Sequence, residues 1–279
     1  MSSCGSRGVT SVTDASHRWK ANALLPALSL RFVPVWRRNL RVWRKLMVPS
    51  ILGNFGEPLL YLIVLGYGFG RLVGDIGELP YMVFLASGII CSSAMFTASF
   101  EALYSAYTRM TIQQTWGAML DAPLQVDDIV LGEVSWAATK ALMGGTAMLV
   151  VASVLGLVAG WQAVLVLPVI LLAGFCFGAC AMVITAVSRS YDFFLYYFTL
   201  VMTPMLLLSG VFFPLAELPA LVAAAAHLLP LVHVVSVVRP LMIGEALPLL
   251  WPVHLLVVAA FAGVAFTAAT ALLRRRLTR

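Results

Sequence analysis

This chain contains long apolar runs that are free of Asp, Glu, Lys and Arg. The six runs are residues 58–70, 79–100, 141–188, 193–216, 218–238 and 246–273. A single helix of the 48 residues in 141–188 would be about 72 Å long, whereas the hydrocarbon core of a bilayer is about 30 Å thick. This run must therefore turn, and Gly156 with Gly160-Trp161 supplies the break and an interfacial aromatic residue.

The overall composition agrees with this pattern. Hydrophobic residue types make up 61% of the 279 residues and charged types 11%, with a mean hydropathy of +0.96. A soluble domain carries about 25% charged residues, because its surface must stay hydrated. The composition excludes a soluble globule and a disordered chain, and it indicates a polytopic helical membrane protein with room for about six or seven spans.

The run 218–238 could be a seventh span or an element that does not cross. Only a few residues separate it from the preceding run, it contains Pro219 and Pro230, and it ends at Arg239-Pro240. The basic residues favour the second interpretation, because nine of the 18 Lys and Arg precede the first span and four end the chain. The positive-inside rule then places both termini in the cytoplasm, so the number of crossings is even.

The sequence therefore predicts an all-α membrane protein with six spans. The predicted spans are about 46–70, 80–103, 129–156, 162–187, 193–213 and 249–273. Residues 216–245 are predicted as re-entrant or interfacial helices on the outer side. Residues 1–27 form a loose cytoplasmic tail, 28–273 a single transmembrane domain, and 274–279 a basic cytoplasmic tail.

Two segments outside the spans have amphipathic patterns. Residues 28–46 interleave Trp and Leu with six Lys or Arg, which is typical of a basic helix in the cytoplasmic interface or of an ordinary juxtamembrane flank. Residues 104–128 place apolar side chains at near-helical spacing, which predicts a short amphipathic helix ended by Pro123. Asp127 or Asp128 can then cap the third span. The exposed stripe of this loop needs a partner surface, either lipid or another protein.

The motifs of common enzymes are absent from the sequence. There is no phosphate-binding G-x-x-x-x-G-K-[ST] and no dinucleotide-binding G-x-G-x-x-G, so this chain is not expected to bind ATP or a cofactor itself. Ser87 and Ser209, with His254, could form an intramembrane serine protease, although neither serine lies in a G-x-S-x-G elbow. We expect no catalytic residue and no metal site, and Cys176 and Cys180 are interpreted as packing residues.

Ionisable residues within spans point to function because each is costly to insert. They are sparse here, and the clearest are Glu57, Glu101 and Lys140. They form no ladder for a proton or sodium relay, as an ion-coupled pump would need. Small-xxx-small patterns such as Gly174/Gly178 indicate helix packing. A transport pathway without its own energy source implies a partner that supplies energy.

The chain resembles the six-span permeases of type-2 ABC exporters over nearly its whole length. The resemblance rests on SILGNFGEPLLYLIVLGYGFG (50–70), TWGAMLDAPLQVDDIVLGE (115–133) and TPMLLLSGVFFPLAELPALVAAAAHLLPLVHVVSVVRPLM (203–242). Within that family, it is most similar to the membrane subunits of lipo-chitooligosaccharide exporters. This closer similarity is carried by SWAATKA (135–141), SYDFF (190–194) and ALLRRRL (271–277).

The resemblance implies a homodimer in the bacterial inner membrane, bound to two copies of a separate ATP-binding subunit that carries the ATP. It also implies a coupling helix after the second span, whose docking residues are expected to be Arg109, Gln114, Trp116, Met119, Leu120 and Pro123. Residues that could line the translocation path are Glu57, Tyr61, Tyr67, Tyr196 and Tyr197, with the tyrosines stacking on sugar rings. The basic helix 28–46 is expected to act as an interfacial gate.

The implied substrate is an amphiphilic glycolipid or lipo-oligosaccharide of the nodulation-factor type, which is a modified chitin oligosaccharide. A polysaccharide or a drug would use the same parts of the protein. An integral-membrane enzyme or a self-sufficient channel is the alternative from another class. Co-purification of an ATPase with this chain would separate the two classes.

Overall fold

The computed structural model describes residues 26, 29–45, 47–77 and 79–277, except for the side chains of 48–55, 57, 58 and 71. The first half of the chain forms helices α1 Phe32–Lys45, α2 Met47–Gly68, α3 Gly70–Val73, α4 Tyr81–Phe100, α5 Ala106–Thr111, α6 Thr115–Leu120 and α7 Val126–Val154. The second half forms helices α8 Val166–Val187, α9 Asp192–Tyr197, α10 Thr203–Leu208, α11 Ala220–Ala226, α12 Pro230–Ile243 and α13 Trp251–Leu277.

Shorter elements join or extend these helices. The π-helical turns Glu101–Ser105 and Phe198–Met202 continue α4 into α5 and α9 into α10, and 3-10 turns lie at Trp161–Leu165 and Leu215–Glu217. Strands β1 Asp75–Ile76 and β2 Leu79–Pro80 pair antiparallel in a small hairpin. The predicted tail 1–27 lies almost wholly outside the described residues, and so does the end of the basic tail 274–279.

Four helices of the described chain are long and apolar enough to cross a membrane. They are Tyr81–Thr111, Val126–Val154, Trp161–Val187 and Trp251–Leu277. Two shorter apolar helices, Leu59–Gly68 and Asp192–Leu208, lie where the first and fifth spans are predicted. Helices α11 and α12 meet at 88°, the geometry of a broken span or of a re-entrant loop.

The long apolar run 141–188 turns where the sequence predicts. Helix α7 ends at Val154, and Gly156 follows with φ +71°, a conformation that glycine adopts without steric cost. The chain re-enters the bundle at Trp161, whose side chain is 77% exposed, as an interfacial aromatic residue is expected to be. The break thus separates two helices of spanning length.

Helices α4, α7 and α8 form the centre of the bundle. In the most apolar part of Tyr81–Thr111, 83% of the residues are buried, against 33% in Trp251–Leu277. Small residues permit the close approach of α7 and α8, since a Cβ on Gly174 would lie 2.7 Å from the Ala141 Cβ. The Gly174/Gly178 pattern is therefore a packing surface within one chain.

Helix α1 packs on α7. Its polar face carries the arginines, while Val35 and Asn39 are buried. The Trp36 Nε1 donates a hydrogen bond to the Thr139 Oγ1 at 3.0 Å. A Cβ on Gly132 would lie 2.7 Å from the Val35 Cβ, so glycine is what brings the two helices together.

Replacing Gly132 with Ala is expected to lower the free energy of unfolding by about 1–3 kcal/mol, because the added Cβ overpacks the contact with Val35. Denaturant titration in detergent micelles measures the change. Gly117→Ala is the matched control, since a Cβ there would meet no atom within 4 Å. Equal stability of both variants would mean that α1 does not pack on α7.

The loop after α5 contains a short helix before Pro123, as predicted, but the apolar pattern from Tyr107 to Leu120 is divided between α5 and α6. Tyr107 continues the helix begun by α4, Gln114 adopts φ +49°, and α6 begins at Thr115. Helix α5 ends at Thr111, and the left-handed Gln114 is the N-cap residue of α6. The amphipathic segment therefore consists of two short helices.

The cap of α7 also differs from the prediction. The N-cap residue is Gln125, whose backbone N–H donates to the Asp128 Oδ2 at 3.0 Å in a capping box. Asp127 instead pairs with Arg274 of α13. Arg276 donates to the Thr185 carbonyl oxygen of α8 at 2.8 Å. We call this side of the bundle, where α1, α6 and these helix termini meet, the basic end.

Candidate functional site

A buried charge network lies toward the basic end. It consists of Glu101, Arg109, Glu133 and Lys140 with the uncharged Asn39, Trp116 and Trp136. Its members come from α1, the helix Tyr81–Thr111, α6 and α7. Among the described residues, the remaining ion pair, Arg274 with Asp127, joins only α13 and α7.

Glu101 accepts hydrogen bonds from three side chains. The Arg109 Nη2 lies 2.9 Å from its Oε1, the Trp136 Nε1 lies 3.0 Å from the same oxygen, and the Lys140 Nζ lies 2.9 Å from its Oε2. The carboxylate is 4% exposed. A buried carboxylate of this kind is stable only because its oxygens are paired and hydrogen-bonded.

Glu133 is the second carboxylate and is fully buried. Its Oε1 accepts a hydrogen bond from the Arg109 Nε at 3.0 Å, and its Oε2 accepts a second one from the Arg109 Nη2. The Trp116 Nε1 donates to Oε1 at 3.2 Å, and the Asn39 Nδ2 donates to Oε2 at 3.0 Å. Arg109 therefore bridges the two carboxylates with its planar fork of donors.

Helical spacing explains how these residues meet. Glu133, Trp136 and Lys140 are separated by three and four residues, so they share one face of α7. Glu101 and Arg109 lie eight residues apart on the facing helix, with the π-helical turn Glu101–Ser105 between them. Such insertions reorient side chains and are frequent at functional sites.

The charge network is electrically balanced, with two carboxylates and two cations. At its edge, the Arg38 Nη1 donates to the Asn39 Oδ1 at 3.1 Å. Burial, with the nearby positive charge of Arg109, lowers the pKa of the Arg38 guanidinium, which still remains protonated at neutral pH. Every carboxylate oxygen of the network has a donor, so the arrangement suits mechanical linkage between elements better than proton transfer.

The predicted docking residues differ in how far they are exposed. Gln114 and Pro123 are exposed, and Met119 and Leu120 pack partly against the core. Trp116 is 0% exposed, and it and Arg109 point into the charge network. The exposed residues of this loop also include Asp121 and Ala122. We call the part formed by Ile112, Gln113, Gln114, Gly117 and Ala118 the loop surface.

The predicted path residues also differ in exposure. Tyr61, Tyr67 and Tyr196 are about half exposed, at 48%, 55% and 61%, whereas Tyr197 is buried at 7%. The side chain of Glu57 lies outside the described residues. The three exposed tyrosines belong to apolar faces of α2 and α9 that other parts of the described chain leave uncovered.

Sequence reasoning missed Asn39, Glu133 and Trp136 as site residues. The spacing of Glu133, Trp136 and Lys140 on one face of α7 is a signal that could have found two of them. It also missed a row of aromatic rings that joins Tyr81–Thr111 to α9, formed by Phe100, Tyr104, Tyr107, Tyr191, Phe194 and Phe198. The row places α9 directly beside the helix that carries Glu101 and Arg109.

A cavity of about 610 Å³ lies at the opposite end of the bundle. The end of α2 and the β1–β2 hairpin form one wall, and the segment after α10 forms the other. Its lining is largely apolar and aromatic, including Phe69, Tyr81 and Phe212, with the carboxylates of Asp75 and Glu217. The cavity could accommodate part of an amphiphile, since small-molecule sites span about 300–1,000 Å³.

The serines and the histidine of the protease alternative are engaged elsewhere. Ser87 donates to the Phe84 carbonyl oxygen at 2.7 Å and accepts a bond from the Arg239 Nε at 2.9 Å. Ser209 donates to a carbonyl oxygen of its own helix. The Nδ1 of His254 lies 2.7 Å from the Nδ1 of His233. Within the described structure neither serine contacts His254.

Arg239 links α12 to the rest of the bundle through hydrogen bonds and a cation–π contact. Besides Ser87, its guanidinium donates to the Gly210 carbonyl oxygen at 2.7 Å, and its Cζ lies 3.6 Å from the centre of the Phe84 ring. These contacts join α12 to α4 and to the turn after α10. Among the described residues, no group of three His, Cys, Asp or Glu is placed to hold a metal ion.

Comparisons with known proteins agree with this architecture. A family model described as ABC-2 type transporter matches residues 31–243. Nodulation protein J of Sinorhizobium fredii is 44% identical over 266 residues, covering 93% of this chain and 99% of that protein. Nodulation protein J of Rhizobium leguminosarum biovar viciae is 46% identical over 258 residues, covering 92% and 99%.

A more distant relative belongs to the same class. The inner membrane transport permease YadH of Escherichia coli is 28% identical over 203 residues, covering 71% of this chain and 76% of that protein. The family model spans well over half of the chain, and the nodulation proteins cover nearly all of it. The chain therefore belongs to the ABC-2 type transporter family and is a multi-pass membrane permease.

Proposed function

We propose that this chain is the transport subunit of an ATP-driven ABC exporter, acting as a homodimer with two ATP-binding subunits of the nodulation protein I type. The observation that carries the proposal is the charge network beneath the loop surface. Trp116 and Arg109 connect this short loop to α1 and α7 through Glu133. A protein docked on the loop surface would therefore act on several helices at once.

The proposed topology has six spans, with both termini in the cytoplasm of a bacterium and the chain in its inner membrane. The four long helices, together with α2 and the segment Asp192–Leu208, supply the six crossings. The basic end would face the cytoplasm, as the positive-inside rule requires. Helices α11 and α12 would form the outer re-entrant pair, and their 88° bend suits that role.

In the proposed mechanism, ATP stays on the partner subunit and this chain transmits movement. A push on the loop surface moves α6, and the Trp116 side chain carries the displacement to Glu133. Arg109 and Glu101 pass it along the helix Tyr81–Thr111, whose π-helical turn permits a change of register. The aromatic row, which includes Tyr104 and Phe194, extends the movement to α9. Helix α1 moves with Glu133 and acts as the interfacial gate.

The proposed path follows the uncovered faces of α2 and α9. Tyr61, Tyr67 and Tyr196 could stack on sugar rings there, because a carbohydrate presents apolar faces and hydroxyl edges. The cavity beside Asp75 and Glu217 lies at the outer end of these faces, where a sugar head would leave. We retain Glu57 as a path residue on the basis of its place in the sequence, whereas Tyr197 would pack within the bundle.

We propose a lipo-oligosaccharide of the nodulation-factor type as the substrate. The similarity to nodulation protein J along almost the whole chain supports this class. A different exported substrate, a polysaccharide or a drug, is the alternative within the family.

Transport into inverted membrane vesicles tests this proposal. Vesicles that contain this chain and its ATP-binding subunit are expected to accumulate a fluorescent lipo-chitooligosaccharide when ATP is added, and not with ADP. The unacylated chitin oligosaccharide and an acylated lipid without sugar are the matched controls, and both are expected to accumulate less. Equal uptake of all three, or uptake of a polysaccharide or drug alone, would contradict the substrate class.

A further inference from the structure

A second cavity lies at the basic end, between the C-terminal ends of α8 and α13. Its volume is about 410 Å³, and its walls carry three guanidinium groups, those of Arg189, Arg275 and Arg276. Val187 and Leu272 add apolar surface beside them. The cavity is separate from the charge network and from the proposed path, and neither uses these three arginines.

The positive charge in this cavity is not neutralised by the described protein. None of the three arginines forms an ion pair with a carboxylate among the described residues. The neighbouring Arg274 differs, because it pairs with Asp127. Asp192 follows Arg189 closely in the chain but does not line the cavity, and its Oδ2 accepts a bond from Ser190 at 3.4 Å.

One arginine of the cavity is held by hydrogen bonds, and the other two are exposed. Arg276 donates to the carbonyl oxygens of Thr185 and Ala186 at 2.8 and 3.1 Å, and its Cζ lies 5.8 Å from the centre of the Tyr107 ring. Arg189 and Arg275 are exposed. The cavity thus combines a hydrogen-bonded guanidinium with two exposed ones, an arrangement that suits the oxygens of a phosphate group.

The position of the cavity identifies the source of that phosphate. The apolar run 141–188 ends at the cavity wall, and so does the apolar part of α13 at Leu273. This is the level at which a span leaves the hydrocarbon core and meets the lipid headgroups. Val187, 46% exposed, and Leu272 would border the start of an acyl chain. Basic pockets between spans on the cytoplasmic side bind anionic headgroups.

We propose that this cavity binds the headgroup of an anionic phospholipid from the surrounding leaflet, one lipid for each chain. Arg189, Arg275 and Arg276 hold the phosphate, and the acyl chains lie along α8 and α13. The inference rests on membership of the membrane permease family and not on the exported substrate. The inference therefore holds even if the exported substrate is not a lipo-oligosaccharide.

Native mass spectrometry of the full chain, released from phosphatidylcholine nanodiscs with increasing phosphatidylglycerol, tests the proposal. The double variant Arg189→Gln/Arg275→Gln is expected to need about thirtyfold more phosphatidylglycerol for half occupancy, since each Arg near the membrane surface contributes roughly fivefold. Arg37→Gln/Arg41→Gln is the matched control. It removes two exposed charges from α1, which lies outside the cavity, so its shift measures the nonspecific attraction of the lipid to surface charge and is expected to be smaller than that of the cavity variant.

Three outcomes would overturn the proposal. Equal shifts in the two double variants would mean that any two positive charges suffice. Displacement of phosphatidylglycerol by millimolar inorganic phosphate would indicate a site for a free anion. Unchanged lipid retention in Arg189→Gln/Arg275→Gln, with loss of the ATP-binding subunit when the two proteins are co-purified, would indicate a protein contact. The single variant Arg275→Gln, expected to shift about fivefold, gives the same test if the double variant does not fold.

Discussion

Replacing Glu101 with Gln is expected to lower the free energy of unfolding by about 3–5 kcal/mol, the cost of breaking a buried ion pair from one side. The carboxylate is 4% exposed and accepts bonds from Arg109, Lys140 and Trp136. With Gln in its place, Arg109 keeps its ion pair with Glu133, whereas the partly buried Lys140 loses the carboxylate with which it pairs. Denaturant titration of the chain in micelles measures the loss.

A second substitution separates charge imbalance from simple loss of shape. The double variant Glu101→Gln/Lys140→Met removes the unpaired ammonium group and is expected to regain most of the lost stability. Glu245→Gln, at an exposed position, is the control and should leave stability unchanged. If Glu101→Gln is as stable as the native chain, the carboxylate does not hold the network together.

Replacing Trp116 with Ala is expected to cost about 3–5 kcal/mol, because a fully buried indole is removed and a cavity remains. The substitution also removes the bond from its Nε1 to Glu133. We therefore expect α6 to lose its fixed position over the charge network, although Trp116 itself is not exposed to any partner.

The comparison with Trp116→Phe identifies the source of the loss. Phe keeps most of the apolar volume but lacks the N–H donor, so we expect a smaller cost of about 1.5–3 kcal/mol, that of one hydrogen bond to a charged group. The Glu133 Oε1 still accepts a bond from the Arg109 Nε. Limited proteolysis within 112–125, with unfolding measured in parallel, follows the order of the loop. Equal proteolysis rates in the native chain and Trp116→Ala would mean that this side chain does not position α6.

Much of the helical layout is predictable from the sequence, because an apolar run must match the thickness of a bilayer. The length of 141–188 demands a turn, and Gly156 supplies one with φ +71°. The amphipathic pattern of 28–46 likewise predicts the helix that forms at Phe32–Lys45. These features depend on residues close together in the chain.

The site is less predictable, since it depends on contacts between distant residues. Periodicity places Trp116, Met119 and Leu120 on one face of a helix, but it does not say what the face packs against. In the structure that face meets the chain's own core, and Trp116 reaches Glu133. The pairing of Asn39 with Glu133 spans 94 residues, which no local pattern encodes.

The left-handed residue in the loop was also beyond local prediction. Gln114 has no intrinsic preference for φ +49°, and tertiary contacts on both sides impose the turn. The Thr115 Oγ1 donates a hydrogen bond to the Arg109 carbonyl oxygen at 3.0 Å, and this bond closes the turn between α5 and α6. The apolar pattern from Tyr107 to Leu120 is therefore shared by two short helices, α5 and α6, where the spacing predicted one.

The most direct measurement of the central claim is co-purification of an ABC ATP-binding subunit with variants of the loop surface. Ala118→Glu places a charge on this surface, and Ala216→Glu places the same charge on the exposed turn Leu215–Glu217 at the opposite end. Both chains should fold. We predict that the native chain and Ala216→Glu retain the partner and its ATPase activity, whereas Ala118→Glu loses both. Retention by Ala118→Glu equal to that of the native chain would contradict the account.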